Sequence, residues 1–241
     1  MVYTEKYRIN SHDCDFNGIV KPSSVLRYMH ETANLQMLKY GPSNDELRRQ
    51  NKAFILSKVN ISLYSTLKAF DEIEVETWAC ESQGVSFYRC SRVLKNGELI
   101  AEMVAVFALV DIKEKKFFKV NEITFGFDTE PDMLELDLPA RFRIPDGVDL
   151  SLLGEYSINY SETDENMHMN NANYLDVFCN YLPDNRHNRV ISAVINYQSE
   201  APIGSTVKIY RGQDDDNAYY FKTVRDDGSV NSQSLIITDR I

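Results

Sequence analysis

The sequence predicts an α+β protein built from two similar halves, each an antiparallel sheet wrapped around a long helix. Three observations predict this class. A segment near the N-terminus recurs in the second half, a helical hydrophobic pattern follows each copy, and alternating apolar and polar residues with hairpin turns follow each helix. One helix and about five strands bury their apolar faces best when the sheet curves around the helix.

The repeat is clearest when residues 7–17 are placed over residues 156–166, an offset of 149 positions. Five of the eleven aligned positions are identical, far more than chance produces. The identical pairs are Tyr7 and Tyr156, Ile9 and Ile158, Asn10 and Asn159, Asp15 and Asp164, and Asn17 and Asn166. A self-match of this kind indicates a duplicated structural unit.

Each copy of the repeat precedes a predicted helix, over residues 23–40 in the first half and 172–182 in the second. Apolar residues in the first helix recur near the 3.6-residue period of a helix with one buried face. They are Val25, Leu26, Met29, Ala33 and Met37. Gly41-Pro42 is predicted to end the first helix and Pro183 the second.

Alternating residues predict the strands that follow each helix. The predicted strands span residues 54–63, 73–78, 87–94 and 99–110, then 190–197, 206–210, 219–224 and 230–238. Asn96-Gly97 and Asp227-Gly228 predict hairpin turns because they suit positive φ angles. A stretch rich in Asp, Glu and Pro separates the halves, so we predict an N-terminal domain over residues 1–128, a linker over 129–150 and a C-terminal domain over 151–241.

Composition narrows the class of protein. The net charge of −10 argues against nucleic acid or an anionic membrane surface as the main partner. No stretch approaches the roughly 20 apolar residues of a membrane span, and the N-terminus lacks the apolar core of a signal peptide. The four cysteines show no pairing or metal-site spacing, which predicts reduced thiols in a cytoplasmic protein. Scattered histidines and the lack of a glycine-rich phosphate loop predict neither metal nor cofactor.

The two copies differ just before the helix, where His168 of the second copy aligns with Ile19 of the first. Only the second copy therefore keeps a group there that exchanges protons near neutral pH. If this segment is extended, Asp164, Asn166 and His168 point to one side. From the residues alone, this segment could be a catalytic site or an ordinary polar turn.

The asparagine pair Asn170-Asn171 follows in the second copy, where the first has Lys21-Pro22. One of the two asparagines is expected to cap the second helix. The N–H groups at a helix start would suit an oxygen that becomes negative during a reaction.

The pattern Asp-x-Asn-x-His-x-Asn-Asn-x-x-Tyr, from Asp164 to Tyr174, resembles the signature of plant and bacterial acyl–acyl-carrier-protein (acyl-ACP) thioesterases. Glu76-Thr77-Trp78 after a strand and the Asp15-x-x-Gly18 turn agree with the resemblance, which covers essentially the whole chain. It implies two fused hot-dog domains and hydrolysis of fatty acyl-ACP in fatty acid biosynthesis.

The resemblance also implies a catalytic set of Asp164, Asn166, His168 and Glu200, the last within Tyr197-Gln-Ser-Glu200. Many plant members have a cysteine after that glutamate, whereas this chain has Ala201. The departure favours attack by water rather than by a cysteine thiolate. Either Glu200 or His168 could take the proton from that water.

By the same resemblance, the N-terminal copy would bind the acyl chain, with Met29 and Met37 as candidate lining residues. Both residues could equally be ordinary methionines of the hydrophobic core.

An acyl carrier protein is the expected partner, and because it is acidic it would need a basic patch. Candidate residues are Lys113, Lys115, Lys116, Lys119, Arg141 and Arg143. The lysine cluster could equally be a solvated turn. The rival functions are an acyl-coenzyme A thioesterase, a hot-dog dehydratase and a non-catalytic acyl-binding protein. Monomer and homodimer both remain open.

Overall fold

A computed structural model describes residues 1–136, 142–214 and 217–241 of the chain. These residues form two compact units, Met1–Val20 with Ser24–Asp137 and Lys21–Ser23 with Leu138–Ile241. Part of the predicted linker, including the candidate docking residue Arg141, lies outside the described residues.

The first unit is a five-stranded antiparallel sheet with two helices. Its elements are β1 (Tyr3–Arg8), α1 (Pro22–Tyr40), α2 (Asn44–Arg49), β2 (Lys52–Leu63), β3 (Glu72–Ala79), β4 (Phe87–Lys95) and β5 (Glu98–Asp111). The strands are ordered β1-β3-β4-β5-β2. Every strand predicted in this half is confirmed to within three residues at each end.

Helix α1 confirms the first predicted helix. The predicted apolar residues are all buried, and Leu26 and Met29 are fully so. The helix ends where Gly41 adopts a φ of 75° and its N–H donates to the carbonyl of Met37 at 2.8 Å. A glycine in this conformation after the last turn is a common helix stop.

The short helix α2 was not predicted from the sequence. Ser43 and Glu46 form a capping box, in which the Glu46 N–H donates to Oγ of Ser43 at 3.3 Å and the Ser43 N–H donates to Glu46 at 2.7 Å. Only Leu47 is buried in its six residues. A helix with one buried side chain has no hydrophobic period to detect.

The second unit repeats this plan with one helix. Its elements are β6 (Ser151–Ser157), α3 (Asn173–Asn180), β7 (Asn188–Tyr197), β8 (Thr206–Gln213), β9 (Ala218–Arg225) and β10 (Val230–Arg240). The strands are ordered β7-β10-β9-β8-β6, all antiparallel. Phe178 of α3 stacks on Phe221 of β9 with ring centroids 4.8 Å apart, which anchors the helix on the sheet.

Both predicted hairpin turns are present, with different geometry. Asn96 and Gly97 both have positive φ angles, 52° and 81°, as a two-residue hairpin turn requires. In the Asp227-Gly228 turn of the second unit, Gly228 has a positive φ and Asp227 does not, and the Asp227 carboxylate accepts from the Ser229 N–H at 2.9 Å. The register of β9 and β10 shifts beside this turn, which marks a bulge.

Three further observations bear on the sequence predictions. None of the four cysteines, Cys14, Cys80, Cys90 and Cys179, forms a disulfide, and the sulfur atoms of Cys80 and Cys90 lie 3.4 Å apart. Within the described ranges, no helix combines the length and apolar character needed to cross a bilayer. The same residues contain no cluster of three or more side chains suited to hold a metal ion.

Candidate active site

Three of the four predicted catalytic residues, Asp164, Asn166 and His168, lie on a tight turn over residues 164–168, not on an extended segment. The Met167 N–H donates to the carbonyl of Asp164 at 3.0 Å, and the Asp164 N–H donates to the carbonyl of His168 at 2.9 Å. Met167 has a φ of 60°, which reverses the chain. The expected alternation of an extended strand was therefore wrong.

The carboxylate of Asp164 holds this turn together. Its Oδ1 accepts from the N–H groups of Asn166 at 2.9 Å and His168 at 3.3 Å. Its Oδ2 accepts from Nδ2 of Asn166 at 3.3 Å, which orients the asparagine side chain. Asp164 and Asn166 thus converge as predicted, but Asp164 contacts His168 through the backbone rather than through the imidazole.

Glu200 reaches His168 through a backbone bridge between two distant segments. The Met169 N–H donates to the carbonyl of Ala201 at 2.8 Å, and the Ile203 N–H donates to the carbonyl of Met167 at 2.9 Å. This bridge places Oε2 of Glu200 3.4 Å from Nε2 of His168. The structure therefore brings together two residues that lie 32 positions apart in the sequence.

The histidine and glutamate side chains keep atoms free for a substrate or a water molecule. The side chain of His168 is 28% exposed and that of Glu200 is 65% exposed. Neither Nδ1 of His168 nor Oε1 of Glu200 forms a hydrogen bond with any described residue. A pair linked on one side and open on the other is suited to proton transfer.

The start of helix α3 differs from the prediction that Asn170 or Asn171 caps it. Ala172 is the capping residue, and it provides no side-chain capping hydrogen bond. Oδ1 of Asn170 instead accepts from the Ala172 N–H at 2.9 Å, and the carbonyl of Asn170 accepts from the Asn173 N–H at 2.9 Å. Two amides that the sequence offered to an oxyanion are therefore already occupied.

Two tyrosines, Tyr174 and Tyr197, meet where the chain passes from the turn into helix α3, and the sequence analysis had assigned neither a role. The hydroxyl of Tyr197 donates to the carbonyl of Asn171 at 2.9 Å, and its ring meets Tyr174 edge to face at 5.2 Å between centroids. Burial raises the pKa of Tyr197 well above its ordinary value and that of Tyr174 to about 12. Both hydroxyls therefore stay neutral and act as fixed supports.

The first unit contains a cavity of about 400 Å³. Aromatic rings form much of its wall, contributed by Phe54, Phe87, Phe107, Phe125 and Phe127. Met37 lines this cavity, whereas Met29 is fully buried on the same helix and is not part of the lining. A volume of this size is typical of sites for small ligands.

Both halves of the chain match known domain families. Residues 1–125 match the acyl-ACP thioesterase N-terminal domain, and residues 148–237 match the acyl-ACP thioesterase C-terminal domain. The chain belongs to the acyl-ACP thioesterase family. The two matches confirm the family that the motif over residues 164–174 had suggested, and they cover most of the chain.

Two solved structures share the fold of this family member. An acyl-ACP thioesterase from Bacteroides thetaiotaomicron superimposes with a TM-score of 0.86 at 18% identity, covering 99% of this chain and 98% of that one. The 12:0-ACP thioesterase from Umbellularia californica gives 0.84 at 14% identity, covering 100% and 98%. The predicted α+β architecture of two fused hot-dog domains is confirmed.

Curated sequence relatives are plant enzymes of greater length. The palmitoyl-acyl carrier protein thioesterase of Cuphea hookeriana, described as chloroplastic, is 21% identical over 189 residues, covering 73% of this chain and 45% of the relative. The dodecanoyl-[acyl-carrier-protein] hydrolase of Cinnamomum camphora is 18% identical over 223 residues, covering 86% and 58%. The chain thus spans about half the length of the curated relatives it matches.

Proposed function

We propose that this family member hydrolyses the thioester of fatty acyl-ACP and releases a free fatty acid. The observation that carries the proposal is the His168–Glu200 pair, whose nearest atoms lie 3.4 Å apart, with His168 on the turn that Asp164 holds together. Its plant relatives are named for acyl carrier protein esters, which supports the same carrier here. Such an activity would release chains at the end of fatty acid synthesis.

Glu200 is the general base in this proposal. Its free Oε1 takes a proton from a water molecule, and the water oxygen attacks the thioester carbonyl carbon. His168 holds the other carboxylate oxygen through Nε2 and so fixes the orientation of the base. The tetrahedral intermediate then collapses to the free fatty acid and expels the carrier thiolate. The thiolate takes the proton from Glu200, which restores the base.

The oxyanion of that intermediate needs hydrogen-bond donors that are already in place. Asn166 supplies one, because Asp164 anchors its amide at 3.3 Å and limits its rotation. One such donor typically contributes about 3 kcal/mol to the transition state. Asp164 acts as a positioning residue, since its carboxylate is taken up by the turn.

The two units divide the work in this proposal. The N-terminal unit binds the acyl chain in its cavity, where Met37 and the phenylalanines offer apolar contacts. The C-terminal unit supplies Asp164, Asn166, His168 and Glu200.

A docking surface for the carrier has a weaker basis in the structure. Lys113, Lys115 and Lys116 lie on the exposed turn after β5, and Lys116 pairs with Glu114 at 3.6 Å. The geometry fits a solvated turn as well as a docking patch, as the sequence had suggested. A cytoplasmic location likewise stays a prediction.

The test is hydrolysis of matched acyl-ACP and acyl-coenzyme A series by the wild type, His168→Ala and the control His187→Ala. His187 is exposed and paired with Asp184 at 2.7 Å, outside the site. We expect faster turnover of carrier protein esters, loss of at least about 10²-fold in His168→Ala and no change in the control. Preference for coenzyme A esters would reassign the carrier, and no turnover of either series would overturn the proposal.

A further inference from the structure

The cavity of the first unit contains a charge that a plain hydrocarbon chain would not need. Arg89 of β4 lines the cavity and is only 7% exposed. Its Nη1 donates to Oε1 of Gln36 at 2.6 Å and to Oγ1 of Thr77 at 3.1 Å. Both partners are neutral, so neither compensates the positive charge.

No described carboxylate forms an ion pair with Arg89, and its Nε and Nη2 donate no hydrogen bond to a described residue. Its guanidinium carbon also lies 5.9 Å from the centroid of the Phe127 ring, over the face of that ring. Buried arginines are ordinarily paired, because removing an isolated charge from water is costly. An uncompensated guanidinium beside a cavity therefore points to an anionic ligand.

Arg92, on the same strand, shows what a satisfied arginine looks like in this unit. Its Nε donates to Oε1 of Glu102 at 2.8 Å, and its guanidinium lies over the ring of Trp78 at 5.2 Å. It is absent from the residues that line the cavity. The two arginines therefore differ in whether the protein itself supplies the counter-charge.

A buried histidine, His30, interacts electrostatically with Arg89 but is not among the residues that line the cavity. Nε2 of His30 is buried and has no hydrogen-bond partner in the described parts of the chain. Burial lowers the pKa of His30 to about 4, and the positive charge of Arg89 adds to the effect. A neutral His30 places no second positive charge beside Arg89.

We propose that the cavity binds an alkyl chain that carries a carboxylate, with the carboxylate against Nε and Nη2 of Arg89 and the chain along the phenylalanine rings. A planar guanidinium matches a carboxylate with two parallel hydrogen bonds. The cavity offers the matching apolar surface through Phe54, Phe87, Phe107 and Phe125. One ligand then satisfies both the charge and the aromatic wall.

Two sources could supply such a ligand. One is the free fatty acid that the proposed hydrolysis releases, in which case the cavity binds product. The other is an acyl substrate with a second carboxylate at its far end. The assignment rests on the proposed function for the identity of these sources, whereas the binding itself can be measured without any turnover.

The deciding measurement is the Kd of saturated fatty acids and of the fatty alcohols of the same length, from C8 to C18, by competition with a fluorescent fatty acid. We expect the acid to bind roughly 10- to 100-fold more tightly than the alcohol. Arg89→Met should remove that ratio, Arg89→Lys should keep part of it, and the control Arg92→Met should keep all of it. Equal affinity of acid and alcohol for the wild type would overturn the proposal, even if Arg89→Met does not fold.

Further measurements distinguish the two possible ligands, and they separate the Arg89 assignment from the proposed hydrolysis. Product binding predicts that fatty acid, but not fatty alcohol, inhibits hydrolysis of acyl-ACP. A functionalised substrate predicts faster hydrolysis of ω-carboxyacyl-ACP than of the plain ester. His168→Ala should bind the fatty acid with the wild-type Kd. A binding ratio without any turnover would therefore remove the proposed function alone, and turnover without the ratio would remove the Arg89 assignment alone.

Discussion

The turn over residues 15–19 in the first unit and the turn over residues 164–168 in the second have the same hydrogen bonds, but the first ends in Ile19 and the second in His168. Oδ1 of Asp15 accepts from the N–H groups of Asn17 at 2.8 Å and Ile19 at 3.1 Å. Asp164 accepts from the equivalent amides at 2.9 and 3.3 Å. The aspartate therefore holds a turn in both units, including the one that has no histidine.

One of the two hydrogen bonds that form the backbone bridge beside the second turn has a counterpart in the first unit. The Val20 N–H donates to the carbonyl of Leu67 at 2.9 Å, just as the Met169 N–H donates to that of Ala201 at 2.8 Å. This correspondence places Thr66 where the second unit has Glu200. The comparison teaches that the turn does not depend on the candidate catalytic pair: His168 and Glu200 stand in the second unit where the first has Ile19 and Thr66.

The largest expected effect comes from the glutamate side of this comparison. Glu200→Gln should lower kcat/KM for acyl-ACP by roughly 10²–10⁴, because it removes the base and keeps the shape. Thr66→Val, at the matching position of the first unit, should leave kcat/KM unchanged. Steady-state kinetics on both variants tests whether Glu200 is the base. Full activity in Glu200→Gln would remove this residue from the mechanism.

The two aspartates should separate positioning from stability. Asp164→Asn should lower kcat roughly 10- to 100-fold, since loosening the turn misplaces His168 and Asn166. Asp15→Asn should cost about 1 kcal/mol of unfolding free energy and leave kcat near the wild-type value. Denaturant unfolding and kinetics on the same preparations test this. Equal loss of kcat in both variants would contradict the division of roles.

Buried His30 in the first unit should make the stability of the protein depend on pH in the acid range. An unfolded chain protonates His30 below about pH 6.5, whereas the folded chain resists protonation until about pH 4 because burial lowers its pKa. Stability should therefore fall as pH drops through this interval, by on the order of 2–3 kcal/mol. His30→Leu should flatten that part of the curve, measured by urea unfolding from pH 7 to 4. An unchanged slope would show that other groups control acid sensitivity.

The smallest effect concerns the residue that reverses each turn. Gly18 has a φ of 74° and Met167 has a φ of 60°, so only the first unit uses the residue suited to this conformation. An added Cβ at Gly18 meets no atom within 4 Å, so Gly18→Ala should cost about 1 kcal/mol from backbone strain alone. Met167→Gly should change stability less, because relief of strain is offset by a more flexible unfolded chain. Thermal unfolding compares the two, and a neutral Gly18→Ala would contradict the strain argument.

The sequence by itself determined the duplication, the order of helices and strands, both hairpins and the polar residues of the second copy. Those features are encoded by neighbouring residues: alternation in strands such as β5, the apolar period of α1 and positive-φ pairs such as Asn96-Gly97. The family resemblance added Glu200 to the candidate site. None of these predictions required knowledge of long-range contacts.

Only the tertiary structure decided how the site is assembled. The sequence could not show that Asp164 bonds to a turn rather than to the imidazole, or that Asn170 fails to cap α3. It also could not show that Arg89 is buried beside a cavity without a counter-charge, because alternation along β4 does not say which face is covered. These contacts join segments that lie far apart in the chain. Local sequence patterns do not show which distant atoms come into contact in the folded protein.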